Sequence, residues 1–146
     1  MKISDLTKLN PIGLQTIDPD SSVHAAVRKL VEHNIGALPV VDGSGSLVGI
    51  ITERDVLRLM AGDTCADALN GTVGAAMTSD LVIGVPDDDV DYVMRVMTER
   101  RIRHFPILDD GKLVGIISIG DLVKAKHDDA ETAIRFMRDY MSGQVG

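Results

Sequence analysis

Two short turns carry the residues of this sequence that are best suited to bind a ligand. Thr52 stands three residues before Asp55, and Ser118 stands three residues before Asp121. The same apolar run, Leu-Val-Gly-Ile-Ile, precedes both hydroxyl residues, and each turn is predicted to begin a helix. The recurrence of one pattern at equivalent places is a much stronger signal than either turn alone.

The spacing within each turn has two compatible interpretations. A Ser or Thr followed three residues later by an acid is close to a capping box, with Asp in place of the usual Glu or Gln, and such a cap stabilises a helix by about 1 kcal/mol. A hydroxyl and the free amides of a helix N-terminus also attract a phosphate, and a carboxylate one turn later can accept both hydroxyls of a ribose. The sequence leaves both interpretations open.

The turns belong to a long internal repeat. Pro39 and Pro106 lie 67 residues apart, and Gly49 and Gly115 lie 66 residues apart, so a single deletion separates the copies. Solenoid repeats have periods of roughly 20–50 residues, so each copy is a whole small unit. Two similar units can pack face to face and form paired clefts between them.

Each copy is predicted to fold as strand–helix–strand–strand–helix, which is an α/β (α+β) arrangement. Apolar residues at helical spacing predict a helix that begins near Val23 in the first copy and near Val90 in the second. Asp and Gly residues between apolar runs then predict a hairpin in each copy. The opening strands are predicted at Thr16 and Ile17 and at residues 83–85.

Composition argues against several classes of function. The 146 residues carry a net charge of −7 and no basic arm, which argues against nucleic-acid binding. The chain has no apolar stretch long enough for a membrane span and no secretion signal. Cys65 is the single cysteine, so we expect neither a disulfide framework nor a metal cluster, and we expect a reducing, cytoplasmic compartment. No nucleophile–base pair or carboxylate dyad predicts an enzyme.

The paired pattern resembles a tandem of cystathionine-β-synthase-type (CBS) domains, which is called a Bateman module. The match runs from about Leu6 to Lys124, and its specific parts are the h-x-x-h-P-V/I motif and the L-V-G-I-I-T/S-x-x-D motif. The resemblance implies two pseudo-symmetric units, each with a small three-stranded sheet packed against two helices. It further implies a non-catalytic sensor that binds AMP, ADP, ATP, or sometimes NAD(H) or S-adenosylmethionine, between the units. A homodimer is implied as well.

The resemblance also implies roles for individual residues. The two aspartates of the turns would hold ribose hydroxyls, and the two hydroxyl residues would face the phosphate. The adenine pocket would be formed by main-chain groups of Thr16, Ile83, Gly84 and Val85. The other residues of the pocket would be Pro39, Pro106 and Phe105, which precedes the second proline.

The two copies differ in charge around these matching turns. The second copy has Arg103 and His104 where the first copy has glycine and alanine, and the first has Arg54 where the second has Gly120. We therefore expect two non-equivalent sites, with the tighter one on the Arg103 and His104 side. A nucleotide-independent protein adaptor, in which the turns are only helix caps, is the alternative function.

The sequence divides into residues 1–66 for the first unit, 67–126 for the second and 127–146 for a C-terminal helix. An amphipathic stripe marks that helix, consisting of Ala130, Ala133, Ile134, Met137, Tyr140 and Met141. The stripe either covers the core or pairs with another subunit, and we favour the former.

Overall fold

A computed structural model of the chain describes residues 1–6, 9, 13–62 and 64–143. After a 3-10 turn at Ile3–Asp5, the first unit contains α1 (Val23–Glu32), β1 (Ala37–Val41), β2 (Leu47–Thr52), α2 (Glu53–Gly62) and α3 (Cys65–Asn70). A short helix follows, α4 (Val73–Ala76), and the second unit contains α5 (Val90–Arg100), β3 (His104–Asp109), β4 (Lys112–Ser118) and α6 (Ile119–Met141). The predicted α/β class and the two similar units are confirmed.

The predicted hairpins form in both units, and the third strand of each sheet is very short. Strand β1 pairs antiparallel with β2, and β3 pairs in the same way with β4. Ile17 and Gly84 each add one parallel bridge to the sheet, to Val40 and Ile107 respectively. A proline lies two residues after each bridge, where the next ladder amide would be needed, and proline has no amide hydrogen to donate. The opening strand therefore ends after a single bridging residue.

Each unit has its own apolar core, and the two cores are filled differently at one equivalent pair of positions. The first core contains Ile17 and Leu38, which are 5% and 0% exposed. The second has Gly84 and Phe105 at the corresponding places, and Phe105 is 1% exposed. The larger aromatic ring of the second unit thus lies opposite a residue without a side chain.

The segment ahead of each unit packs against the other unit. Within residues 1–6, the amide of Ile3 donates a hydrogen bond of 2.9 Å to the carbonyl of Asp88. Within residues 71–78, the amide of Val73 donates into the loop before α1 at 2.8 Å. Ile3 and Val73 are fully buried, each in the core of the unit that its segment does not precede. This reciprocal packing joins the two units along the whole interface.

Helix α6 continues without a break across the predicted boundary between residues 126 and 127. Its second half does not cover the core, so the arrangement favoured from the sequence is wrong within one chain. Ile134, Met137, Tyr140 and Met141 are 57%, 62%, 69% and 85% exposed. No helix in the described part of the chain is both long and apolar enough to cross a membrane.

Candidate functional site

Two clefts lie between the units, and the units contribute side chains to both. The first, which we call the arginine cleft, has a volume of about 400 Å³. It is lined by Gly36, Ile50, Thr52, Glu53, Arg54, Asp55, Arg58, Thr78, Arg101, Ile102, Arg103, His104, Ser118 and Ile119. The second cleft, of about 560 Å³, is lined by Gly13, Leu14, Gln15, His33, Asn34, Ile35, Gly36, Ala37, His104, Ile116 and Ser118. Both volumes are typical of sites for small organic ligands.

The repeat relates the two clefts to each other. Ile50 and Thr52 at the end of β2 line the arginine cleft, while Ile116 and Ser118 at the end of β4 line the second cleft. Residues 101–104 enter the arginine cleft, and the equivalent residues 34–37 enter the second. The clefts are therefore pseudo-symmetric copies, as the duplicated sequence predicts.

The turn at the start of α2 places a buried carboxylate at the arginine cleft. Asp55 is 6% exposed. Its Oδ2 accepts hydrogen bonds from the amide and the hydroxyl of Thr52, at 2.9 and 3.1 Å. Its Oδ1 accepts the hydroxyl of Thr78 at 3.1 Å and lies 3.7 Å from a guanidinium nitrogen of Arg58. A carboxylate has about four acceptor positions, so Oδ1 retains capacity for one further donor.

The turn at the start of α6 has the same internal geometry. The amide of Ser118 donates to Oδ2 of Asp121 at 2.8 Å, and the amide of Asp121 donates to the Ser118 hydroxyl at 3.1 Å. This is a complete capping box. Ser118 lines both clefts, so one hydroxyl is available to a ligand in either.

The side chains of Glu53 and His104 both lie close to Gly36, which lines both clefts. A Cβ atom on Gly36 would lie 3.1 Å from Oε1 of Glu53 and 3.2 Å from Nε2 of His104, which is tighter than most real contacts. A glycine at this position therefore leaves the space that both side chains use. Because Gly36 and His104 line both clefts, a ligand in one cleft would lie against residues of the other.

The positive charge of the two units converges on one cleft. Arg54 and Arg58 of the first unit and Arg101 and Arg103 of the second all line the arginine cleft. Among the described residues, the lining of the second cleft includes no arginine or lysine. The sequence predicted non-equivalent sites with charge supplied from different positions in each copy, and the structure brings these positions together in one space.

The T-x-x-D pattern also occurs outside the two clefts. Thr64 caps α3, and its hydroxyl donates to Oδ2 of Asp67 at 2.8 Å, outside both clefts. The pattern is thus sufficient for a cap without any ligand. What distinguishes the turns at Thr52 and Ser118 is their position at the unit interface.

The model of the CBS domain matches residues 3–62 and 73–128, which together make up most of the sequence. The chain belongs to the CBS-domain family. Two matched stretches in one chain make it a tandem CBS pair.

Known proteins with similar sequences and structures are CBS proteins as well. The mitochondrial CBS domain-containing protein CBSX3 of Arabidopsis thaliana is 36% identical over 130 residues, which cover 85% of this chain and 62% of that protein. The chain thus spans less than two thirds of that relative. The structure of CBSX2 in complex with AMP matches with a TM-score of 0.74 and 28% identity, covering 88% of this chain and 98% of that chain.

A second solved structure carries two other adenosyl compounds. The CBS domain pair of protein MJ0100, in complex with 5'-methylthioadenosine and S-adenosyl-L-methionine, matches with a TM-score of 0.75 and 30% identity. The match covers 88% of this chain and 98% of that chain.

Several residues assigned from the CBS resemblance do not line either cleft. These are Thr16, Pro39, Ile83, Gly84, Val85, Phe105, Pro106 and Asp121. The amide and carbonyl of Gly84 bond within the sheet, to Pro106 and Leu108, each at 2.9 Å. The carbonyl of Thr16 accepts the Lys29 ammonium group at 2.7 Å. The ribose contact expected of Asp121 and the adenine contacts expected of the other residues stay predictions.

Eight residues that line the arginine cleft were not predicted as site residues, and three of them, Arg58, Arg101 and Thr78, bear directly on its charge and on Asp55. Arg58 lies one turn after Asp55, a spacing that brings side chains to one helix face and was readable from the sequence. Arg101 belongs to a short run of basic residues, and runs of this kind usually lie on a solvated face of a protein. Thr78 reaches Asp55 from 23 residues away through the pairing of Ile50 with Thr78, and no local pattern reveals that contact. Among the described residues, no group of His, Cys, Asp and Glu is arranged to hold a metal ion.

Proposed function

We propose that this CBS pair is a non-catalytic regulatory module that binds an adenosyl nucleotide between its two units. The observation that carries the proposal is the arginine cleft, in which the hydroxyls of both turns, a buried carboxylate and four arginines surround one space. A nucleotide offers complementary groups, since ribose hydroxyls donate to carboxylates and phosphates accept from guanidinium groups and from helix N-termini. In a chain of net charge −7, this local concentration of positive charge favours an anionic ligand.

The complexes of similar CBS pairs support this class of ligand. CBSX2 is described in complex with AMP, and MJ0100 with methylthioadenosine and S-adenosylmethionine. AMP, ADP, ATP, NAD(H) and S-adenosylmethionine all share the adenosine that a T/S-x-x-D turn would hold by its ribose. The four arginines favour the phosphorylated members for the arginine cleft. The second cleft, whose described lining residues include no arginine or lysine, suits a ligand of lower charge.

The decisive experiment is calorimetric titration of the full chain with AMP, ADP, ATP, NADH and S-adenosylmethionine. At least one is expected to bind, and binding raises the stability of the native state, by about 2.7 kcal/mol at a ligand concentration 100 times Kd. If none of the five binds or shifts the thermal midpoint, the proposal is wrong.

A pair of matched variants separates ligand binding from helix capping. Asp55→Asn keeps the shape of the side chain but removes its charge, and we expect binding in the arginine cleft to weaken by about tenfold or more. Asp67→Asn makes the same chemical change in the cap of α3, outside the clefts, and should leave affinity unchanged. Equal affinities for both variants and the unmodified chain would indicate that the Asp55 turn is only a cap.

A nucleotide-independent adaptor for a partner protein is the second candidate. One observation favours it: both carboxylate oxygens of Asp55 already accept hydrogen bonds from Thr52 and Thr78. A defined effector protein that the chain captures equally well with and without nucleotide would support the adaptor. An effector whose capture depends on AMP or ATP would support the sensor. The effector itself is not identified by the sequence or the fold.

We also propose that the module forms a homodimer through the exposed stripe of α6. Ile134 and Met137 lie on this stripe and are more than half exposed. The acidic Asp128 and Asp129 precede the stripe, and the basic Arg138 lies in its second half. An antiparallel pairing with a second copy would bring these opposite charges together and cover the apolar side chains. A cytoplasmic location stays a prediction from the single cysteine.

A further inference from the structure

Three arginines from the two units also surround a recess beside the arginine cleft. The recess has a volume of about 320 Å³ and shares Arg54, Arg101 and Arg103 with the cleft. Its other lining residues include the apolar side chains of Met97 and Ile102. The cleft and the recess are therefore adjacent, and the three arginines lie on the boundary that they share.

Charge pairing leaves these three arginines available to a ligand. Arg58, the fourth arginine of the cleft, lies 3.7 Å from the carboxylate of Asp55 and offsets its charge. Within the described part of the chain, no salt bridge involves Arg54, Arg101 or Arg103. Among the described lining residues, Glu53 is the other acid of the cleft, and its carboxylate lies near Gly36 beside the ring of His104.

The backbone at Arg101 gives an independent indication of function. Arg101 ends α5 in the left-handed conformation, with φ 56° and ψ 43°. The equivalent residue of the first unit is Asn34, with φ 51°, and asparagine tolerates this conformation far better than arginine does. Arg101 lines the arginine cleft, whereas Asn34 lines the second cleft. Residues in sparsely populated backbone conformations cluster at ligand-binding and active sites, which agrees with a role for Arg101 in the cleft.

We propose that Arg101, together with Arg54 and Arg103, binds the outer phosphates of a polyphosphate ligand, and that the arginine cleft therefore selects a nucleoside triphosphate over the monophosphate. This inference rests on the proposed function and names the ligand class of the same site. A single phosphate needs one or two guanidinium partners, whereas three arginines at the opening of a second cavity match a chain of phosphates. The residues that the structure describes around the second cleft include no counterpart of this arginine group.

The test compares Arg101→Asn, which copies the residue of the first unit, with Arg100→Gln as control. Arg100 is the neighbouring exposed arginine, and it lines neither the cleft nor the recess. Binding of AMP, ATP and inorganic tripolyphosphate is measured by calorimetry, and the fold by thermal denaturation. In Arg101→Asn, the affinities for ATP and tripolyphosphate are expected to fall about tenfold. The AMP affinity should stay within about twofold, and the thermal midpoint should be equal or higher because asparagine relieves the backbone.

The outcomes separate this inference from the proposed function. If AMP and ATP bind the unmodified chain equally, or if Arg101→Asn weakens both to the same degree, the triphosphate inference is wrong while nucleotide binding stands. If tripolyphosphate binds in an Arg101-dependent way and no nucleotide binds, the arginine group is a polyphosphate site and the proposed function is wrong. An equal loss of ATP affinity in Arg100→Gln would overturn the specific role of Arg101.

Discussion

The pairing of Gly84 with Phe105 yields the sharpest prediction about the fold. A Cβ atom on Gly84 would lie 2.5 Å from Cε1 of Phe105 and 2.9 Å from Cδ1 of Ile107. Both partners are fully buried, so neither can move into solvent. In Gly84→Ala the ring must shift by roughly 1 Å to reach ordinary contact, and overpacking of this kind costs about 1–3 kcal/mol. For a chain of this size we expect the thermal midpoint to fall by about 3–10 °C.

The first unit indicates which second change should rescue the variant. It has Ile17 and Leu38 at the places of Gly84 and Phe105, so a branched side chain fits where the facing residue is leucine. Phe105→Leu alone leaves a cavity and is expected to cost about 1 kcal/mol or more. In Gly84→Ala/Phe105→Leu the new methyl group occupies part of that cavity. The double variant should then be more stable than the sum of the single effects predicts, by about 1 kcal/mol.

The assay is chemical denaturation of all four proteins, read by circular dichroism and fitted with a common slope. The control is Gly43→Ala, because a Cβ atom on Gly43 would meet nothing within 4 Å, and its unfolding free energy should stay close to that of the unmodified chain. A Gly84→Ala variant as stable as the unmodified chain would refute the predicted clash with Phe105. Simple additivity of the Gly84→Ala and Phe105→Leu effects would refute the predicted coupling of the two positions.

Three further predictions concern the caps, one carboxylate and the tail. Ser118→Ala should lower the unfolding free energy by about 1 kcal/mol and should also weaken ligand binding. Ser22→Ala, which removes the cap of α1, should lower the unfolding free energy without changing ligand binding. Denaturation and calorimetry on both variants check this. The hydroxyl of Ser44 and the amide of Ser46 donate to Asp42 and hold its pKa below the ordinary carboxyl value. The resulting stabilisation of the fold is present above the unfolded-state pKa and is lost as the pH falls through the lowered pKa. An NMR titration should show that the pKa of Asp42 rises in Ser44→Ala. Met137→Lys should convert a dimer to a monomer in sedimentation velocity without changing the thermal stability of the monomer.

Local features of the fold were predictable because their causes are local. The hairpins follow from turn residues between apolar runs, and the pairing of Pro39 with Ile50 recurs as Pro106 with Ile116. The cap at Ser118 follows from the three-residue spacing to Asp121. The single-residue length of the third strand was also readable in principle, because a proline lies two residues after each bridge.

The arrangement of the site was not predictable from the same patterns, because it depends on how the units face each other. Comparison of the two copies showed that Arg54 and Arg103 have no arginine at the equivalent position of the other copy. The sequence alone, however, places each arginine beside a site of its own copy. Only the packing of the two units brings both into one cleft. The expected covering role of the α6 stripe failed for the same reason, because periodicity identifies an apolar face without identifying what lies against it.

The duplicated architecture also explains how one cleft could acquire charge while the other did not. Each cleft takes its turn from one unit and residues 34–37 or 101–104 from the other. A substitution in residues 101–104 of the second unit therefore changes the arginine cleft, and so does a substitution at Arg54 of the first unit. The positive charges of Arg54 in one copy and of Arg101 and Arg103 in the other thus lie in a single cleft, whereas the described lining of the second cleft includes no arginine or lysine. Two equivalent sites can diverge in this way into one for a polyanion and one for a less charged ligand, with Gly36, His104 and Ser118 in contact with both.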